Sequence, residues 1–128
     1  MIAIGVGGNS RAHESDLVAA IADVRREADG GDIVATFASA IFATHVKAAA
    51  ARQSLAYKPL PLDDLRARSD DCLTRSERTL KLFGVASVAE ASALAAAGPG
   101  SHLIVRRRLV GNVTVAAAQS SDRGVVAK

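Results

Sequence analysis

The chain has 128 residues, 49% of them apolar, with four aromatics and no Trp: room for one domain, whose core must be built from Ala, Val, Leu and Ile. The lone Cys72 excludes an intrachain disulfide and a cysteine-built metal cage, and with no membrane-length apolar run and no basic-then-apolar leader at the start, a cytoplasmic location is expected. The 16 basic and 13 acidic residues leave a mild net charge of +3, but the excess is uneven, and Arg106-Arg107-Arg108, its densest run, favours an anionic partner.

Ile2-Ala3-Ile4-Gly5-Val6 is an apolar run ending in Gly7-Gly8-Asn9-Ser10, which reads as a buried strand leading into a loop. A helix is expected from about Asp16 to Ala28, with Ser15 as N-cap, Leu17, Ile21, Val24 and Ala28 on one face, and Gly30-Gly31 as its stop. Ile33 to Ala38 reads as a second strand. The alanine-rich stretch from His45 to Ala56 predicts a second helix, and the prolines of Lys58-Pro59-Leu60-Pro61-Leu62 allow at most a short edge strand after it. Leu62 to Arg68 suggests a short helical turn, followed by an exposed loop at Asp70-Asp71.

Thr74-Arg75-Ser76-Glu77 and Ser87-Val88-Ala89-Glu90 both fit the capping box, in which a hydroxyl and a carboxylate satisfy backbone donors reciprocally. The first predicts a helix through Phe83 closed by Gly84, the second a helix through Ala97 closed by Gly98-Pro99-Gly100. His102 to Val105 and Val113 to Ala118 read as strands joined in a hairpin across Gly111-Asn112. The order of elements predicts an α/β fold, a three-layer α/β/α arrangement with a mostly parallel mixed sheet and a C-terminal antiparallel strand pair. Ile4, Val6, Val34, Phe37, Ile104 and Val115 are the expected core. One domain covers residues 1–120, and 121–128 are expected to be a flexible tail.

The segment Gly5 to Arg11 (Gly-Val-Gly-Gly-Asn-Ser-Arg) lies where a strand hands over to a helix, a usual site position in α/β sheets, with backbone amides able to receive an anion. Its spacing fits neither the dinucleotide fingerprint nor the P-loop, and a tight turn that needs glycine is the plain alternative. Arg106, Arg107 and Arg108 sit at the end of a predicted strand, where alternation sends Arg106 and Arg108 to one face and Arg107 to the other. Guanidinium groups suit carboxylates, while a solvated hairpin tip is the alternative reading. His13, His45 and His102 lack ligand spacing, so no metal is expected, and no cofactor is expected either. There is no nucleophile elbow and no recognisable Ser–His–Asp set. If the chain activates water, Glu77, Lys47 and His45 are the candidates. Glu77 to Ala97 has the outline of a helix-turn-helix, but Val88 to Ala95 offers no Arg, Lys, Asn or Gln to bases, and Glu90 would repel phosphate; nucleic-acid binding is not expected.

The segment from Phe83 to Gly98 (FGVASVAEASALAAAG) resembles the "GV-x-SVAEAAAL-x-AAG" stretch of the CobE/CbiG C-terminal family of cobalamin biosynthesis. His102 to Arg108 and Asn112 to Ala116 are similar to the family's closing strand pair with its basic turn. Gly5-Val6-Gly7 is similar to its opening glycine loop, and Thr74-Arg75-Ser76-Glu77 to the polar turn before its shared helices. Two departures stand out. The family loop commonly carries Cys and Arg after its second glycine, where this chain has Gly8, Asn9, Ser10 and Arg11. Lys47 is followed three residues later by Ala50 instead of the common Glu, so a Lys–Glu pair is missing its acid.

The resemblance implies a role in building the corrin ring. CbiG-type proteins open a lactone on a cobalt-precorrin and release acetaldehyde, whereas CobE-type proteins stand alone in the oxygen-dependent route. This chain has the CobE-type length, so the hydrolase activity is not carried over with the resemblance, and whether the chain is an enzyme stays open. The expected function is binding or processing of a precorrin or corrin intermediate; the alternative is a non-catalytic carrier or scaffold passing intermediates between pathway enzymes. Gly7, Gly8, Asn9, Ser10, Arg11, Thr74, Arg75, Ser76, Glu77, Arg106, Arg107 and Arg108 are the expected substrate-binding residues. A carboxylate-edged macrocycle would suit an apolar cleft rimmed by cations, provided that the glycine loop and the arginine run share a sheet edge. The low aromatic count argues against flat stacking.

Overall fold

The computed structural model describes residues 1–9 and 11–121; Ser10 and residues 122–128, hence nearly all of the expected tail, lie outside the described residues. The strands are β1 (Ile2–Gly8), β2 (Ile33–Phe37), β3 (Ala56–Leu60), β4 (His102–Val110) and β5 (Val113–Gln119). The helices are α1 (Glu14–Ala28), α2 (Ala43–Arg52), α3 (Leu62–Arg66), α4 (Glu77–Phe83) and α5 (Val88–Ala97), with a 3-10 turn at Ser69–Asp71. The sheet order is β3-β2-β1-β5-β4. β1, β2 and β3 are parallel, each crossover passing through a helix, while β5 runs antiparallel to both β1 and β4. This is the mixed sheet with a C-terminal antiparallel pair that the order of elements predicts.

The two faces of the sheet are built from side chains of different size. On one, Ile4, Val6, Val34, Val113 and Val115 pack against Leu17, Ile21 and Val24 of α1 and Val46 of α2. On the other, Ala3, Ala35 and Ala118 meet α5, with Leu60, Leu65 and Val85 filling the margin. Of the six expected core residues, Ile4, Val6, Val34 and Val115 are wholly buried, whereas Phe37 and Ile104 are half-buried. Eight of the ten residues of α5 are buried, so the would-be recognition helix lies inside the fold and cannot enter a groove. Its approach to β1 leaves no room for a methyl group: a Cβ on Gly5 would lie 1.8 Å from the Ala89 carbonyl oxygen. Among the described residues no single helix is long and apolar enough to cross a membrane.

Local details depart from the sequence reading for identifiable reasons. α1 starts at Glu14, capped by His13, whose amide donates to Asp16 (3.1 Å), so Ser15 falls inside the helix. α2 ends at Arg52, because Ser54 turns left-handed (φ 58°) to release the chain into β3. Ser76, not Thr74, caps α4, its Oγ accepting from the Thr79 amide (3.3 Å). Ser87 caps α5 by accepting from the Glu90 amide (3.2 Å), but the Glu90 carboxylate does not return the bond and points elsewhere. β4 continues to Val110, so the three arginines lie within a strand and the tip is Gly111-Asn112.

β4 uses nine residues where β5 uses seven, with register shifts at Leu103/Val105 and at Val105/Arg108. Val105 pairs with Ala117 and Arg108 with Val115, so Arg106 and Arg107 together oppose Ala116, as in a β-bulge. Strict alternation therefore fails in this strand. Arg108 lies on the α1 face, bound to Glu27 (2.9 Å) and Asp23 (3.0 Å), while Arg106 reaches the Leu73 carbonyl (3.2 Å) on the other side.

Cys72 lies beside this region, its Sγ 3.7 Å from the carbonyl oxygens of Arg68 and Ser87. Burial first, and the nearby Glu90 carboxylate second, push its thiol up to about 11. Two outcomes follow. Gly5→Ala is expected to cost about 1–3 kcal/mol, the range for overpacking, read as a lower urea midpoint; an unchanged midpoint would contradict the close α5 approach. Iodoacetamide at mildly alkaline pH should alkylate Cys72 at least about ten-fold more slowly in the folded protein than in the unfolded chain, because a raised pKa leaves less thiolate. Equal rates would contradict the half-buried thiol with its raised pKa.

Candidate functional site

Because β5 is antiparallel to β1, Gly8 at the end of β1 pairs with Val113 at the start of β5. The β4–β5 turn therefore lies at the same sheet edge as the carboxyl ends of β1 and β2, where ligands of open α/β sheets collect. A cleft of about 940 Å³ opens at this edge. One wall comes from the end of β1 and the turn that follows it, a second from the β2–α2 connection. A third comes from α4 and the first residues of α5, and the fourth from β4, its turn and Thr114.

Gly7 and Gly8 belong to β1 itself and have no left-handed backbone, so the tight-turn reading of these glycines does not describe them. Close packing does. A Cβ on Gly7 would sit 2.6 Å from the Thr114 Oγ1 and 3.4 Å from the Val88 Cβ. The turn itself is made by Asn9, whose carbonyl oxygen accepts from the Ala12 amide (3.1 Å) and whose Oδ1 accepts from the Arg11 amide (2.8 Å).

The lining is apolar and cationic. Phe37 and Phe83 meet at 5.3 Å between ring centres, Phe42 and Val88 lie nearby, and Ile41, Leu82 and Leu109 stay 75%, 60% and 75% exposed at the cleft. Arg11, Arg78 and Arg107 supply the charge, and among the described residues no Asp, Glu, His, Lys or Cys lines the cleft. These three guanidinium groups share a further property. Among the described residues, Arg25, Arg26, Arg52, Arg66, Arg68, Arg75, Arg106 and Arg108 each reach a protein acceptor. Arg11, Arg78 and Arg107 have none for their side chains, and all three are exposed.

Of the residues singled out from the sequence, Gly7, Gly8, Asn9, Arg11 and Arg107 meet in this cleft. Ser10 lies outside the described residues. Arg106 and Arg108 point to other partners, as described above. The polar turn is not part of the lining: the Thr74 Oγ1 donates to Glu90 (2.8 Å), Arg75 pairs with Glu77 (2.9 Å), and Ser76 caps α4. Glu77, Lys47 and His45 also lie outside the lining and are exposed; the His45 ring sits edge-on to His13 at 6.5 Å. Residues that sequence reasoning missed are Arg78, Thr79, Leu82 and Phe83 of α4 and Ile41 and Phe42 before α2. The Arg78/Leu82 and Thr79/Phe83 pairs are each spaced i, i+4, the signal of one helical face.

The comparisons with known proteins agree with one another. The family model "Cobalamin synthesis G C-terminus" matches residues 2–118. The crystal structure of CobE, a protein from the cobalamin (vitamin B12) biosynthetic pathway, has the same fold, with a TM-score of 0.84 at 22% identity, over 94% of this chain and 91% of that one. Cobalamin biosynthesis protein chiG from Agrobacterium tumefaciens str. C58 gives a TM-score of 0.77 at 33% identity, over 95% of this chain and all of that one (100%). No curated protein matches the chain. With the family model spanning residues 2–118 and a 33% identical relative covering almost the same length, the chain belongs to the cobalamin synthesis G C-terminus family.

Proposed function

We propose that this chain binds a polycarboxylated precorrin or corrin intermediate of cobalamin biosynthesis in the cleft between the end of β1, α4 and the β4–β5 turn. One observation carries the reading: the three described arginines without a protein acceptor all line the same apolar cleft. Like charges grouped in this way repel, and they gain from one another only through a shared anion. A macrocycle whose faces are apolar and whose edge bears acetate and propionate groups matches such a cleft, with guanidinium groups taking carboxylates bidentately.

The lining favours carriage over hydrolysis. Opening a lactone requires a group that takes a proton from water, and among the described residues the polar side chains lining the cleft are hydroxyls, amides and guanidinium groups. The Ser87 hydroxyl is already engaged as the cap of α5. The chain on this reading holds an intermediate in the cytoplasm and passes it between enzymes of the pathway.

Dicyanocobyrinic acid, a stable polycarboxylate corrin, is a suitable probe. Arg11→Ala, Arg78→Ala and Arg107→Ala are each expected to weaken its binding by about 1.5–3 kcal/mol, or roughly 10–100-fold, the range for hydrogen bonds to charged groups. Arg108→Ala should leave affinity within about two-fold, since Arg108 is tied to α1. Added salt should weaken the wild type more than the Arg107→Ala variant. Equal affinities across the four variants in titrations would overturn the proposal.

A further inference from the structure

Glu90 is fully buried, and its carboxylate joins three separate parts of the chain. Oε1 accepts from the amides of Leu73 and Thr74, both at 2.8 Å. Oε2 accepts from the Thr74 hydroxyl and from the Arg107 amide, again at 2.8 Å each. The bond from Arg107 crosses from β4 to α5, at the bulge where Arg106 and Arg107 together oppose Ala116. A bulged strand leaves backbone groups outside the ladder, and a buried carboxylate is a strong acceptor for such a group.

The bulge decides which arginine reaches the cleft. Val105 belongs to the α1 side of the sheet. Unbroken alternation from it would place Arg107 on that side too, with Arg106 and Arg108 opposite. The extra residue reverses this, leaving Arg108 with Asp23 and Glu27 of α1 and Arg107 among the cleft residues.

We infer that Glu90 is a positioning residue whose buried carboxylate pins the β4 bulge and thereby holds Arg107 in the cleft, so that ligand affinity depends on a side chain outside the cleft lining. The ligand part of this inference rests on the proposed function; the positioning part does not. Glu90→Gln isolates the contact. Its amide oxygen can still accept from Leu73 and Thr74, and its NH2 can donate to the Thr74 hydroxyl, but that NH2 then faces the Arg107 N–H, donor against donor.

The first arm needs no ligand. Hydrogen exchange on the ¹⁵N-labelled protein should show the Arg107 amide protected in the wild type and exposed in Glu90→Gln, with β5 amides protected in both. An unprotected Arg107 amide in the wild type overturns the inference whether or not the variant folds. The second arm titrates dicyanocobyrinic acid. Glu90→Gln should weaken binding about ten-fold, against the sign expected from removing a negative charge near an anion. The loss should vanish in an Arg107→Ala background and persist in an Arg11→Ala background. A full loss in the Arg107→Ala background would make Glu90 merely structural and overturn the inference. If the wild type does not bind the probe, the ligand reading fails, and the exchange arm still decides whether Glu90 holds the bulge.

Discussion

Helix α5 lies so close to β1 that a side chain on Gly5 would collide with the Ala89 carbonyl, and this seating fixes where both ends of the helix fall. Gly5 has no room for a methyl group where the helix crosses it, and Ala3, Ala35 and Ala118 of the sheet meet a helix made mostly of alanine. Such a contact gains little apolar area per residue, and its value lies in placement. It brings Ser87 and Val88 to the mouth of the cleft and lowers Glu90 into the protein, within reach of Thr74 on one side and β4 on the other. At the far end, Arg68 closes the helix by donating to the carbonyl oxygens of Leu94, Gly98 and Ser101, while Asp71 holds its Nε (2.8 Å). Each end of this buried helix is thus tied to the chain around it, by the Ser87 cap at one end and by Arg68 at the other.

The arginine run shows how one strand can serve two surfaces. Arg108 ties β4 to α1 through two carboxylates, a structural use of charge. Arg107, one residue earlier, is left without an acceptor beside an apolar cleft. Neighbouring residues come to such different ends because the bulge resets the alternation between Val105 and Arg108. The cleft's charge is therefore gathered from three elements that share no sequence neighbourhood, the β1–α1 turn, α4 and β4, and it becomes a patch only in the folded chain.

Much of the fold was legible in the sequence because its signals are local. The apolar run at Ile2 to Val6, the glycines at 84 and 98 that end α4 and α5, and the Gly111-Asn112 turn each depend on neighbours only a few residues away. The helix cap at Ser87 was equally legible, but the second half of its motif was not. Glu90 satisfies the capping-box pattern in sequence and is diverted by Thr74 and Arg107, partners that only tertiary structure supplies. The same limit explains the cleft. Arg107 and Arg11 could be named from charge and position, whereas Arg78 and Leu82 were hidden in a helix whose cleft-facing side is set by how α4 packs. The polar turn at Thr74 was legible as a feature, and its place beneath Glu90 instead of in the cleft follows from the same burial.

The proposed function requires that the cleft recognise the carboxylates of a corrin-ring precursor. The most direct test is a pair of equilibrium titrations of the wild-type protein, one with dicyanocobyrinic acid and one with dicyanocobinamide, which presents the same ring with its side-chain carboxylates converted to amides. The carboxylate form is expected to bind at least about ten-fold more tightly, a difference of about 1.4 kcal/mol. Equal affinity for the two, or tighter binding of the amide form, would contradict the proposed function.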